Sequence, residues 1–256
     1  MYKIATKEEF FNDETICIFT DASSQESIFS EGIRSPYTAP AYCVYHNNMC
    51  IEQGATILLN STSQQGELYA LLLGVQAAVK YKGFKIKIFG DNQNAIIGIR
   101  DWLYKWVIET NNFRSTLGQH GRIKNQDYYM DIIYTILSNQ IPIELYHVKG
   151  HVDIKNVGSL NHAKELFVRS NPFIGDDLTD ELAYFIAMGN TVVDNYSTTI
   201  LKSYIENRDC ATSGEFAVHF DYSKFNMNEY LSLVNRNGHY REFNRPGNKE
   251  NRRMDF

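Results

Sequence analysis

The chain has 256 residues, 25 Lys+Arg against 30 Asp+Glu for a formal charge of −5, with 43% hydrophobic and 13% aromatic residues. That apolar content can fill a core, which excludes a mostly disordered chain, and no apolar run reaches the roughly 20 residues that a membrane helix needs. Mild acidity argues against a sequence-independent DNA coat, which would be basic, but leaves room for an enzyme whose carboxylates hold cations. In chain order, Thr15–Thr20 (TICIFT) reads as a short strand ending at Asp21, followed by a Ser-, Gly- and Pro-rich loop to about residue 40. Ala41–Tyr45 and Gly54–Leu59 read as two further strands joined by a turn at His46-Asn47-Asn48. Ser61-Thr62-Ser63 offers capping hydroxyls, and Glu67 to about Lys80 repeats apolar residues at helical spacing. Lys85–Phe89 alternates as a strand into Gly90-Asp91-Asn92, with a helix from about Asn94 to Ile108. A helix around Asp127–Leu137 and a strand over Ile141–Val148 come next. From about 152 to 188 the pattern is less regular, with one helical stretch around Asp177–Met188 and another helix over Val193–Glu206. Beyond about Asn235 the chain reads as a disordered tail.

Strands alternating with helices predict a mixed α/β layout. The N-terminus lacks the apolar stretch and cleavage site of a secretory signal, so a cytoplasmic protein is expected. Cys17, Cys43, Cys50 and Cys210 form no CxxC pair and no His/Cys cluster. Zinc and a disulfide framework are therefore not expected, and Cys17 and Cys43 read as core thiols.

Asp21 and Asp91 close two strands, and Glu67 opens a helix. Strand-end acids from neighbouring strands converge, and α/β folds commonly put their sites there. Clustered carboxylates repel unless something cationic sits between them, and oxygen-only ligation suits Mg²⁺ or Mn²⁺. Two such ions about 4 Å apart stabilise the attacking and leaving oxygens of a phosphodiester displacement. Taken singly, each acid reads equally as a turn or capping residue; their joint placement is the signal.

The segments IFTDAS, STSQQGELYALLLGV, IKIFGDNQNAI, YHVKGH and GNTVVDNYS, in this order, resemble the type 1 ribonuclease H family over about residues 14–205. The resemblance implies a ribonuclease H-like α/β fold, with a mixed five-stranded sheet flanked by helices, over residues 1–206. An insertion over about 152–188 and a C-terminal extension over 207–256 complete the expected organisation. It also implies hydrolysis of the RNA strand of an RNA·DNA hybrid by two Mg²⁺ ions, for which Mn²⁺ can substitute, giving 5′-phosphate and 3′-hydroxyl ends. Asp21, Glu67, Asp91 and Asp194 would be the metal-binding acids, with Asp21 bridging both ions, and His151 would assist proton transfer or product release. The fourth acid has a rival. His151 and Asp194 lie 43 residues apart, and within that span Asp180-Glu181-Leu182-Ala183 also imitates the family's ending. Asp194 is preferred because a Gly-Asn pair precedes it; Asp153, Asp176 and Asp177 rank lower.

By the same resemblance, Thr62 and Gln64 would grip DNA phosphate, while Ser63 and Gln93 would face the minor groove, where the 2′-hydroxyl tells RNA from DNA. Ser63 and Gln64 stand where Asn is common in the family. Trp102 and Trp106, four apart on one helix face, match the aromatic and basic protrusion that seats the DNA strand in some members, and also suit plain packing. Arg122, Lys124 and Asn125 match the segment after that protrusion. Between Arg100 and Lys124, five basic residues (100, 105, 114, 122, 124) face Asp101 and Glu109, a local excess of positive charge suited to phosphate. Basic residues of the tail, Arg236 to Arg253, could touch nucleic acid or simply keep it soluble.

Rival readings are a catalytically inactive hybrid-binding or replication-partner module, and a DDE-type transposase or integrase, for which no separate DNA-binding domain is evident. A proofreading exonuclease of the same superfamily would need an acid two residues after the first Asp, where this chain has Ser23. Richness in Asn, Ile, Lys and Tyr is of the kind that AT-rich genomes, phage genomes among them, encode.

Overall fold

A computed structural model describes residues 3–28, 34–103, 106 and 123–207. Its elements, in chain order, are β1 (Ile4–Ala5), α1 (Lys7–Phe10), β2 (Thr15–Ile28), β3 (Arg34–His46), β4 (Met49–Ala55) and β5 (Leu58–Leu59). Next come α2 (Ser63–Ala78), β6 (Lys85–Gly90), α3 (Gln93–Ile97) with a π-helical turn over Gly98–Trp102, and α4 (Gln126–Asn139). The last are β7 (Ile143–His147), α5 (Val157–Ser170), β8 (Asp177–Leu178) and α6 (Asp180–Asn207). The main sheet runs β4-β3-β2-β6-β7, five strands as expected, with the two-residue β5 added against β3 as a sixth. β2 is antiparallel to β3 and parallel to β6, which is parallel to β7, so the sheet is mixed.

Alternation along the central strands fills two cores. Ile16, Ile18, Ile86 and Ile88 face one side, where Leu68, Leu71 and Val75 of α2 and Ile132, Ile133 and Ile136 of α4 cover them. Cys17, Phe19 and Phe89 face the other, under Phe10, Phe167, Leu182, Ile186 and Val193 from α1, α5 and α6. On that second side Phe19, Phe89, Tyr146 and Phe167 form a stacked row with successive centroids 4.7, 5.1 and 5.9 Å apart. Cys17 and Cys43 are buried free thiols, as read from the sequence, and Cys50 is exposed; Cys210 lies outside the described residues. No described helix is long and apolar enough to cross a membrane.

The elements depart from sequence expectation in five places, and the strand expected over Gly54–Leu59 is instead β4 over Met49–Ala55 with the separate two-residue β5. The Ser-rich stretch after Asp21 continues β2 to Ile28 and returns as β3 from Arg34, where a loop was expected to about residue 40. The hairpin is held by tertiary bonds: Ser23 N–H donates to Ser197 Oγ of α6, whose hydroxyl in turn donates to the Ala39 carbonyl at 2.7 Å. The irregular segment 152–188 contains a 14-residue helix, α5, capped by the Asn156 side chain on Ser159 N–H. The helix expected to run to Ile108 is only five residues long as α3 before it widens into the π-helical turn; most of residues 104–122 lie outside the described residues.

The two helices expected around Asp177–Met188 and Val193–Glu206 are one, the 28-residue α6. Gly189 and Asn190 are weak helix formers and look like a break, but tertiary contact overrides them. A Cβ at Gly189 would run into the Phe19 ring, so glycine lets the helix lie directly on the aromatic row. Gly189→Ala should therefore destabilise the chain by about 1–3 kcal/mol through overpacking. The check is a lower urea midpoint with an unchanged slope.

Candidate active site

Register builds the first half of the site. Thr20 of β2 pairs with Gly90 of β6 in parallel, so the next residues come side by side, Asp21 still within β2 and Asp91 just past the end of β6. Asp21 is buried and accepts a 2.7 Å bond from Ala22 N–H. Glu67 comes from α2, whose start is fixed by a capping box: Gln65 N–H donates to Thr62 Oγ1 at 3.3 Å, and Thr62 N–H donates to Gln65 Oε1 at 2.8 Å. Asp21, Glu67 and Asp91 each bring a carboxylate oxygen within 4.8 Å of the others.

Such a cluster is costly when ionised. Burial first, then the Asp91 charge, pushes Asp21 up to about 8, and Asp194 adds to the shift. Burial holds Glu67 well above its ordinary value, with Asp21, Asp91 and Asp194 reinforcing it. Asp91 is raised by burial, though a bond from Asn190 and the nearby His151 pull it back. These are the marks of one electrostatic unit.

The second half comes from α6 and the turn after β7. Asn190 and Asp194 lie one helical turn apart and share a face. Asn190 Nδ2 donates to Asp91 Oδ2 at 3.4 Å, and its own Oδ1 is buried without a hydrogen-bond partner among the described residues. Asp194 Oδ2 lies 3.5 Å from His151 Nδ1, and His151 is 84% exposed on a left-handed backbone, φ 51°. Gly150 packs so closely on Asp91 that an added Cβ would strike its carboxylate. Asp180, the rival fourth acid, lies at the start of α6 and pairs with Lys164 of α5 at 3.0 Å.

Of the other residues singled out, Thr62 and Ser63 are exposed at the start of α2, and Gln93 is exposed at the start of α3. Gln64 bonds Asn92, beside Asp91, at 3.4 and 3.3 Å. Trp102 and Trp106 rings lie 6.0 Å apart, and Trp106 packs edge-on against Tyr129 at 5.1 Å, joining the core on that side. Lys124 is exposed, and Asn125 begins α4 in a left-handed conformation, φ 59°. Arg100, counted with the basic stretch, is instead 4% exposed and bonded to Asp101, so it is not available to phosphate. Lys105, Arg114, Arg122 and the tail lie outside the described residues. Asn190 was legible as part of the Gly-Asn pair but not as a residue touching an acid. His147, in the quoted YHVKGH, carried no signal of its own, yet its Nε2 lies 3.0 Å from the Asp91 carbonyl oxygen.

The donor set fits a hard divalent cation: carboxylate oxygens only, mutually repelling, with an orphaned amide oxygen beside them. Comparison with known proteins agrees with this fold. A model of the RNase H family matches residues 13–169, a span that includes Asp21, Glu67, Asp91 and His151. The chain belongs to the RNase H family, a family of nucleases. Among solved structures it is similar to the foamy viral protease-reverse transcriptase in complex with an RNA/DNA hybrid, at 15% identity over 62% of this chain and TM-score 0.45; it spans 20% of that chain. The solution structure of the RNase H domain of PFV, the Prototype Foamy Virus, matches at 18% identity over 70% of this chain and 95% of its own, TM-score 0.44. An RNase H1 from the halophilic archaeon Halobacterium salinarum matches at 14% identity over 60% and 93%, TM-score 0.34. No curated protein matches the chain.

The raised acids make stability pH-dependent in a defined direction. An acid whose pKa rises on folding binds more protons folded than unfolded between the two values, so stability falls as pH rises through that window. Asp21's contribution is fully present below its ordinary 3.8 and is lost on approaching about 8. Metal-free protein in EDTA should melt at progressively lower temperature across this range. Asp21→Asn should flatten the trend, and added Mg²⁺ should restore stability most at the alkaline end. Differential scanning calorimetry across the range checks all three.

Proposed function

We propose that this chain is an endoribonuclease that hydrolyses the RNA strand of RNA·DNA hybrids at the Asp21–Glu67–Asp91 cluster. The observation that carries this reading is the convergence of three carboxylate oxygens within 4.8 Å in a chain of the RNase H family. Asp21, Glu67, Asp91 and Asp194 would hold two Mg²⁺ ions, for which Mn²⁺ can substitute. Cations bound there supply Lewis-acid stabilisation of the attacking and leaving oxygens of the phosphodiester, so the ends are 5′-phosphate and 3′-hydroxyl.

The remaining work falls to side chains. Asp21, clustered with the other two acids, would serve both ions, and its raised affinity for protons means that cation capture would displace protons from the cluster. Asp194 is favoured as fourth acid over Asp180 because it acts electrostatically on Asp21 and Glu67, whereas Asp180 is engaged by Lys164. His151, exposed and beside Asp194, would move a proton at the leaving oxygen or ease product away. Thr62, Ser63, Gln64 and Gln93, at the starts of two helices flanking the cluster, would read phosphate and the 2′-hydroxyl. Trp102, Trp106, Lys124 and Asn125 would seat the DNA strand. Ser23 is committed to Thr198 at 2.6 Å, so the second acid of the exonuclease pattern is replaced by a structural bond.

The test is cleavage of a labelled hybrid with Mg²⁺ or EDTA. Wild type should cut only with Mg²⁺. Asp91→Asn and Asp194→Asn should lose turnover by about 10²-fold or more while still binding hybrid; Asp180→Asn should cut as wild type. Near-normal cutting by Asp91→Asn would overturn the assignment. Tight hybrid binding without cutting by wild type would favour a binding module.

A further inference from the structure

Behind Asp91 lies a buried polar network that the cleavage chemistry does not itself require. His147, the last residue of β7, is 7% exposed and pairs in register with Gly90, directly before Asp91. A carbonyl oxygen only accepts, so Nε2 carries the imidazole proton and donates to the Asp91 carbonyl at 3.0 Å. Nδ1 is then free to accept from the Ser170 hydroxyl at 3.1 Å. The backbone of the same residue is clamped by Asn171: His147 N–H donates to Asn171 Oδ1 at 3.0 Å, and Asn171 Nδ2 donates to the His147 carbonyl at 2.8 Å.

Asn171 is fully buried and receives a further 2.7 Å bond from Arg100, whose guanidinium also donates to the Leu145 and Ser170 carbonyls and to Asp101. The residues come from three places, the end of α5, the end of β7 and the π-helical turn after α3. Polar groups so deeply buried persist only when satisfied, and here the bonds chain from one to the next. Satisfaction alone would let the network close on itself. Instead it reaches the site, through the bond from His147 to the backbone of Asp91.

We propose that His147, with Ser170 and Asn171 holding it, is a positioning residue that fixes the Asp91 turn for cation capture, so that helix α5 serves the site from behind. This rests on the reading of Asp91 as a cation ligand. The arrangement parallels the way outer hydrogen bonds orient metal-ligating groups elsewhere, but acts through a main-chain carbonyl. Val148 N–H fixes the preceding Gly90 carbonyl at 3.0 Å, so the turn is gripped at two successive peptides. Asn190 restrains the side chain from the opposite element, α6. Asp91 is thereby held at its backbone from the end of β7, which α5 backs, and at its carboxylate from α6.

The test is Mn²⁺ binding to the full chain by isothermal titration calorimetry, with melting in EDTA and hybrid cleavage alongside. Ser170→Ala removes one hydroxyl and His147→Phe removes the donor; each should weaken Mn²⁺ binding by ~10-fold and lower kcat while leaving KM for hybrid unchanged. His147→Gln, whose amide can still donate to the Asp91 carbonyl, should recover most of the affinity. If Ser170→Ala and His147→Phe melt lower but bind Mn²⁺ as wild type does, with Gln no better than Phe, the network is structural and the proposal fails. Asp91→Asn separates the layers: it should bind Mn²⁺ far more weakly, and wild-type binding by that variant would overturn the ligand reading itself.

Discussion

The constraint on which this molecule turns is the confinement of like charges. Asp21 and Asp91 are delivered side by side by a parallel strand register, and Glu67 is brought against them by a helix whose start is capped. Each carboxylate gives up water and gains negative neighbours, so the folded chain pays for the cluster in raised proton affinity. Such an arrangement survives because packing elsewhere over-determines it. It also makes the site responsive: whatever neutralises the cluster, protons or cations, stabilises the fold that presents it.

Packing supplies that determination from both faces. On one side branched aliphatics of β2 and β6 lock α2 in place, and with it Glu67. On the other, the stacked row from Phe19 to Phe167 spans three neighbouring strands and the helix α5. α6 lies on that row at Gly189, which brings Asn190 to Asp91 and sets Asp194 near enough to act electrostatically on Asp21 and Glu67. One buried cation, Lys87, sits within the same layer, satisfied by Glu144 at 2.7 Å and the Phe10 ring at 4.1 Å. The aromatic layer is thus a platform that holds the acid-bearing elements at fixed height.

Much of this was legible in the sequence because the acids stand where the residue pattern changes, even though β2 itself runs on past Asp21. Asp21 ends a β-branched run and Asp91 ends an alternating one; the second marks the end of β6, while the first marks where the apolar run of β2 stops and its polar continuation starts. The illegible remainder depends on contacts distant in the chain. The β2–β3 hairpin looks like a loop because its Ser, Thr and Pro residues lack apolar alternation; it is extended because α6 bonds it through Ser197 and Thr198. The unity of α6 is hidden by Gly189-Asn190, which are unfavourable locally and required by the Phe19 ring. Arg100 looks like surface charge by composition, and its burial depends on Asn171, 71 residues on. α5 went unread because few of its residues are buried: Ala163 and Phe167 alone among them are.

Half the circumference of α6 carries three unrelated duties. Gly189 seats it on the aromatic row, Asn190 and Asp194 address the acids, and Ser197 with Thr198 clamps the hairpin. With 3.6 residues per turn, one residue gained or lost between these stations rotates everything beyond it by about 100°. The helix therefore behaves as a ruler with fixed graduations: point changes on its outer face are tolerable, changes of length are not. Residues added ahead of Asp180, by contrast, would leave these stations in register with one another.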